Sequence, residues 1–291
     1  MTPGRGLGVR ALVPALLGVA ALLAGCGSSS GGSSVTALKV TPAQSYQLGG
    51  FQPAQTITPG HPTTISFAVK LPGGKTLTRY KTGSGPHTGV HLIIVRNDLA
   101  YIIHEHPPIP SSGVLRQRVR FPAPGPYHVL VDVYPDLPGI QPNFQLFRNV
   151  TVSGAYHPVR LPPFKAHQVV DGYHFDMTSR PKIHAIQAVF LHVNVTDPHG
   201  RPVHFTPWFG ALAHAIFFQQ GTLNYFHTHV CAPDAPNCGS IGGTRTVSGT
   251  SSAPGKLTLG VLLPVPGTWR LFVQMRAHGR VITAPFTLDV A

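Results

Sequence analysis

Apolar and polar residues alternate along most of this chain in short runs that end at turn residues. That is the period of two expected of half-buried strands. Ile65-Ser-Phe67-Ala-Val69 alternates in this way, and Leu71-Pro72-Gly73-Gly74 turns it. Tyr127 to Val133, Asn149 to Val152, Val193 to Val195 and Leu288 to Val290 read as further strands, and Pro107, Pro108 and Pro110 stop the run that precedes them. No amphipathic helix of useful length is evident. The pattern predicts an all-β protein, and 30 Pro with 32 Gly and few charges agree with it.

One stretch recurs. His91-Leu-Ile-Ile-Val-Arg-Asn-Asp-Leu-Ala-Tyr-Ile-Ile-His104-Glu-His106 has the spacing H-x12-H-x-H, and His214-Ala-Ile-Phe-Phe-Gln-Gln-Gly-Thr-Leu-Asn-Tyr-Phe-His227-Thr-His229 repeats it. Each copy reads as a β-hairpin, with expected tips at Asn97-Asp98 and Gln220-Gly221. Those tips set His91 opposite His104 and His214 opposite His227, with His106 and His229 on the same faces by alternation. The remainder of each face is apolar: Ile93, Val95 and Ile102 in the first copy, and Ile216, Phe218, Leu223 and Tyr225 in the second. Three imidazoles are thus expected at the rim of a core, twice.

The repeat extends beyond the hairpins. Val193-Asn-Val195-Thr-Asp-Pro198-His-Gly200 matches Phe67-Ala-Val69-Lys-Leu-Pro72-Gly-Gly74, and Leu263-Pro-Val-Pro-Gly267-Thr-Trp269 matches the turn from Phe121 to Tyr127. Short strands in two such units predict two tandem β-sandwich domains. The boundaries read as 35–153 and 167–291, joined by a proline-rich linker over 154–166.

The N-terminus reads as an address. Arg5 and Arg10 precede an apolar run from Ala11 to Ala24, too short for the ~20 residues that span a bilayer. Leu23-Ala24-Gly25-Cys26 looks like a bacterial lipobox. Residues 1–25 are therefore expected to be a lipoprotein signal peptide, Cys26 the lipidated residue, and 26–34 a Gly/Ser tether. The protein is expected at the cell membrane, held by its lipid and facing the extracytoplasmic side. In that compartment Cys231 and Cys238 are expected to form a disulfide; the rival is a Cys231 thiolate joining His227 and His229 on a metal. The charge balance, 22 Lys and Arg against nine acids, suits a solvated basic surface or an anionic lipid or polymer. No aromatic-basic motif points to nucleic acid.

The order strand, loop, histidine hairpin, Pro-Gly turn, strand resembles the YtkA-like group of small exported sandwiches and, more distantly, the immunoglobulin-like copper-resistance proteins of the periplasm. A closer resemblance is to tandem-domain bacterial exported lipoproteins carrying His-Leu-Ile-Val-Val-Arg-x-Asp-Leu-x-Tyr-x-x-His-x-His-Pro, which His91 to Pro107 fits nearly residue for residue. The second hairpin departs from that pattern, with Leu223 and Tyr225 one position late and Val230 in place of Pro107. The resemblance implies immunoglobulin-like or cupredoxin-like sandwiches and a link to copper.

Three imidazoles on one face suit a transition ion, copper or zinc, so His91, His104, His106, His214, His227 and His229 are the candidate ligands. His87 lies in the loop before the first hairpin as a further candidate. Type 1 copper is a poor fit, because no His or Met follows Cys231 before Met275. Dispersed acids exclude a calcium cage, and no Gly-x-Ser-x-Gly or joined Ser/His/Asp set suggests an enzyme. The alternative is an immunoglobulin-like scaffold that binds another cell-envelope protein and whose histidines are structural.

Overall fold

The computed structural model describes residues 45–83, 85–139, 142–178, 181–232 and 249–291. The expected signal peptide, tether and lipidated Cys26 lie outside them, as does Cys238. All fifteen elements among the described residues are strands. The first seven are β1 (Gln47–Gln52), β2 (Pro62–Lys70), β3 (Val90–Arg96), β4 (Ile102–Glu105), β5 (Val114–Arg120), β6 (Gly125–Val133) and β7 (Phe144–Val152). The other eight are β8 (His167–Val170), β9 (Tyr173–Met177), β10 (Val189–Thr196), β11 (Ala211–Gln219), β12 (Tyr225–Cys231), β13 (Lys256–Val261), β14 (Gly267–Ala277) and β15 (Arg280–Val290).

The strands form four antiparallel sheets. β1-β2-β5 faces β4-β3-β6-β7, and β13-β10-β9-β8 faces β12-β11-β14-β15. The four-stranded sheets β4-β3-β6-β7 and β12-β11-β14-β15 have the same order, so the repeat in sequence is a repeat in topology. Both units are immunoglobulin-like sandwiches. The tyrosine corner of that fold recurs: the Tyr127 hydroxyl donates to the Ala123 carbonyl at 2.9 Å, four residues upstream. In the second unit the Trp269 indole N–H does the same to the Val265 carbonyl at 3.1 Å. The aromatic body fills each sandwich while its polar tip closes the Pro-Gly turn.

Each sandwich has its own core. Ile65, Phe67, Leu92, Ile94, Val129 and Val131 pack in the first. Phe175, Val193, Phe217, Leu271, Val273 and Phe286 pack in the second. A third cluster draws on both: Ile93, Val95, Leu99 and Leu130 with Ile216, Phe218 and Phe272. Strand β3 therefore splits its side chains, Leu92 and Ile94 into its own sandwich and Ile93 and Val95 into the shared cluster. Every residue of β3 is buried, because the β4-β3-β6 face that an isolated sandwich would show to water packs against the corresponding face of the second. Residues 44–291 form one compact unit.

The segment expected as a linker carries no strand but is docked. The Val159 N–H donates to Asp98 Oδ2 at 2.8 Å, and Leu161 packs on the shared cluster.

The hairpin register differs from the expected one. Ile93, not His91, stands opposite His104, and Val95 stands opposite Ile102. The Arg96 N–H donates to the Tyr101 carbonyl at 3.0 Å, so the tip is the four-residue segment 97–100. Asp98 causes the widening: its carboxylate accepts from Arg96 Nε and Nη2 at 2.8 and 2.7 Å and from the Ala100 N–H at 3.2 Å. Leu99 follows in the left-handed region, with φ 61°. In the second hairpin His214 stands opposite His229 and Ile216 opposite His227. There the Gln219 side chain closes the loop, accepting from Thr222 and Asn224 at 2.6 and 2.7 Å. Both registers are displaced by two residues. Side chains alternate with a period of two, so every histidine keeps its expected face.

Candidate metal centre

The histidine-bearing ends of the two hairpins meet in the shared layer. Rather than two separate rims, the structure brings all six predicted histidines into one cluster. His91, His104, His214, His227 and His229 are buried, each 5% exposed or less, and His106 is half-buried. Across the sandwiches the ring centroids of His91 and His227 lie 5.2 Å apart, and those of His104 and His214 4.9 Å apart. Exchanging the two copies maps the first pair onto the second. It also maps His91–His229, at 5.8 Å, onto His106–His214, at 6.3 Å. The cluster thus has an approximate two-fold relationship, the internal counterpart of an isologous dimer contact.

Hydrogen bonds fix which nitrogens point inward. The His91 Nε2–H donates to the Pro86 carbonyl at 2.6 Å, and the His214 Nε2–H donates to the Trp208 carbonyl at 2.9 Å. A carbonyl only accepts, so the Nδ1 atom of each ring is the one free to act as a ligand. Both Nδ1 atoms face His227: His91 Nδ1 lies 3.4 Å from His227 Nδ1, and His214 Nδ1 lies 3.2 Å from His227 Nε2. His104 donates from Nδ1 to Gln274 Oε1 at 3.1 Å, and Gln274 is held in turn by its own Nε2 on Thr283 Oγ1 at 3.0 Å. His104 Nε2 is left 3.2 Å from His106 Nε2. His229 Nε2 is buried with no hydrogen-bond partner. Two triads bring one nitrogen from each ring to within 4.8 Å of one another: His91, His104 and His227, and His214, His227 and His229. Both are groups that could hold a metal ion.

Burial decides the protonation state. Desolvation pushes His91 and His214 down to about 3. It holds His104, His227 and His229 well below the ordinary imidazole value and lowers His106, with the neighbouring histidines adding to the effect. The rings are neutral at physiological pH, the form that ligates metals.

Residues that sequence reasoning missed complete the wall. Phe209 stacks on His106 with centroids 3.8 Å apart, and Trp208 meets the rings of His104 and His214 at 5.3 and 5.1 Å. Asp132 and Gln274 occupy equivalent places, paired with His91 and His214 on the neighbouring strands. A signal for them was present: each stands five positions after the corner aromatic and interrupts an apolar run, Val129 to Val133 and Leu271 to Met275. Asp132 is buried and its carboxyl is pushed up by desolvation. It accepts from Asn143 and Gln145 at 2.9 and 3.0 Å and from the Tyr134 and Tyr225 hydroxyls at 3.3 and 3.5 Å. His87 lies at the edge, its ring 4.9 Å from that of His229. Cys231 ends β12 and belongs to neither candidate triad. His128 is outside the cluster, bonded to Asn149 at 2.9 Å.

Residues 168–291 match the family model described as "Domain of unknown function (DUF8832)". No curated protein matches the chain. Among solved structures the chain is similar to the titin Z1Z2 domains, 12% identical with a TM-score of 0.21, covering 86% of this chain and 96% of that one. It is similar also to the fibronectin(III)-like modules of Clostridium thermocellum CbhA, 9% identical with a TM-score of 0.22, covering 84% and 93%. A Salmonella alpha-2-macroglobulin is 10% identical with a TM-score of 0.24 over 85% of this chain, which spans 14% of that protein's length. The architecture rests on the strand pairing rather than on these likenesses.

Proposed function

We propose that this protein binds a transition-metal ion, copper or zinc, in the histidine cluster shared by its two sandwiches. The observation that carries the reading is a shortage of protons among converging nitrogens. His91 and His214 spend their only N–H on carbonyl oxygens and direct Nδ1 lone pairs at the two nitrogens of His227. A neutral His227 has one proton, so it can satisfy only one of them. Burial opposes a second proton, because it would create an imidazolium away from water. A metal cation accepts lone pairs and meets the shortage directly. The spacing supports this: with metal–nitrogen bonds near 2.0–2.1 Å, tetrahedral ligand nitrogens stand about 3.3 Å apart, and the two contacts to His227 are 3.4 and 3.2 Å. The carbonyls on His91 and His214 and the Gln274 amide on His104 are the outer partners that orient ligating imidazoles.

Binding is favoured over catalysis by the burial of five of the six rings beneath Trp208, Phe209 and the shared apolar cluster, which leaves a substrate little access. The expected lipid anchor at Cys26 would hold the site at the extracytoplasmic face of a membrane. The resemblance to copper-resistance proteins favours copper, whereas the all-imidazole donor set suits either ion.

Calorimetric titration of the full chain with copper(II) and with zinc(II) tests the reading. Saturable binding is expected, and His91→Ala or His214→Ala should weaken it although the two residues belong to different sandwiches. Absence of binding in the wild type would overturn it. Loss of one site in each variant with the affinity of the other site unchanged would return the histidines to separate rims.

A further inference from the structure

The two copies of the cluster differ in the polar residue that the neighbouring strand supplies, and the difference concerns His227. His104 and His227 are equivalent residues of the two hairpins. Gln274 reaches across from the second sandwich and takes the Nδ1–H of His104, leaving that ring a single inward nitrogen. The residue equivalent to Gln274 in the first sandwich is Asp132. It reaches across as well, but to the Tyr225 hydroxyl rather than to His227. Among the described residues, no backbone group or amide claims a nitrogen of His227. Its Nδ1 faces His91 and its Nε2 faces His214. The two candidate triads share this ring and no other.

We propose that the cluster holds two metal ions bridged by the His227 imidazole. The proposal rests on the metal-binding reading above. One ion takes His91 Nδ1, His104 Nε2 and His227 Nδ1. The other takes His214 Nδ1, His227 Nε2 and His229. Binding the first ion uses the lone pair of neutral His227. Binding the second breaks the remaining ring N–H, the proton leaves to solvent, and the nitrogen electron pair forms the new bond. His229, whose Nε2 is buried without a hydrogen-bond partner, would donate that nitrogen's lone pair to the second ion. Asp132 and Gln274 act as positioning residues: their difference decides which of the two equivalent rings is left to bridge.

The test uses copper(II) alone with the full chain, counting bound ions by elemental analysis and unpaired spins by electron paramagnetic resonance at liquid-helium temperature. Two ions per chain are expected. The spin signal should rise through the first equivalent and then fall several-fold on the second, as two copper(II) spins couple through the shared ring. The His227→Ala variant should lose that coupling, with any copper it retains giving a full signal. The wild-type measurement decides the matter by itself, so a variant that failed to fold would not obscure the outcome. Two ions with a full, uncoupled signal would overturn the bridge, and so would one ion per chain, while either would leave metal binding standing. No bound copper, with no binding of zinc in the calorimeter, would overturn both.

Discussion

His91 and His227 lie 136 positions apart in the chain and belong to different sandwiches, yet their Nδ1 atoms stand 3.4 Å apart. Neither hairpin makes that contact alone. It exists because the apolar faces around Ile93 and Val95 and around Ile216 and Phe218 cover each other, and their histidine-bearing ends are carried together as a consequence. An ion held there would tie the two sandwiches to one another as well as occupy a site.

That arrangement makes metal a stabiliser of the whole unit. A ligand that binds only the folded protein at a free concentration about 100 times its Kd adds roughly 2.7 kcal/mol. Zinc should raise the midpoint of thermal unfolding by several degrees, and a chelator should reverse the rise. His227→Ala, which removes the ring common to both triads, should show a much smaller rise. A wild-type midpoint indifferent to zinc and copper would count against the site.

Stability without metal should fall in acid. Burial depresses His91 and His214 from the ordinary 6.5 to about 3, so below pH 6.5 the unfolded chain binds protons that the folded chain refuses. Their contribution is complete above that value and is lost as pH falls towards 3, at up to ~1.4 kcal/mol per pH unit for each ring. Urea unfolding followed by circular dichroism between pH 7 and 4 reads this directly. A flat profile would mean that the rings are solvated.

Gln274 holds His104 in the tautomer that presents Nε2. Gln274→Leu should weaken metal binding by about 10- to 100-fold, the usual effect of removing an outer-shell partner. Competition against a chromophoric chelator measures it. Unchanged affinity would show that Gln274 does not orient the ring.

Phe217 and Phe218 separate the two kinds of core. Phe217 packs inside the second sandwich and Phe218 between the sandwiches. Each mutated to Ala should cost about 3–5 kcal/mol. Only Phe218→Ala should also lower metal affinity, since only it loosens the contact that assembles the ligands. Equal affinities in the two variants would show that the cluster does not depend on the shared layer.

Intact mass and non-reducing peptide maps address the expectations at the cysteines. Native protein should lack residues 1–25 and carry acyl mass on Cys26, and Cys231 should map to a peptide containing Cys238. An unlipidated N-terminus, or a different partner for Cys231, would refute the respective expectation.

The sequence alone determined the all-β class, the two histidine hairpins and the face on which each histidine lies. Alternation sets the face, and the two-residue displacement of both hairpins left it untouched. The displacement itself was not legible. It depends on Asp98 turning back onto Arg96 and on Leu99 entering the left-handed region, where a side chain other than glycine stays only because its surroundings hold it. The sequence also named six histidines in two matched sets. What it did not show was that the sets form one site. Strand β3 is apolar on both sides, Leu92 and Ile94 on one and Ile93 and Val95 on the other, so its pattern says that both are buried and is silent on what buries them. Only tertiary packing assigned the second face to the neighbouring sandwich. The same packing placed Gln274 beside His104 and His91 beside His227, because contacts between residues more than a hundred positions apart depend on how whole sheets meet and leave no period in the chain.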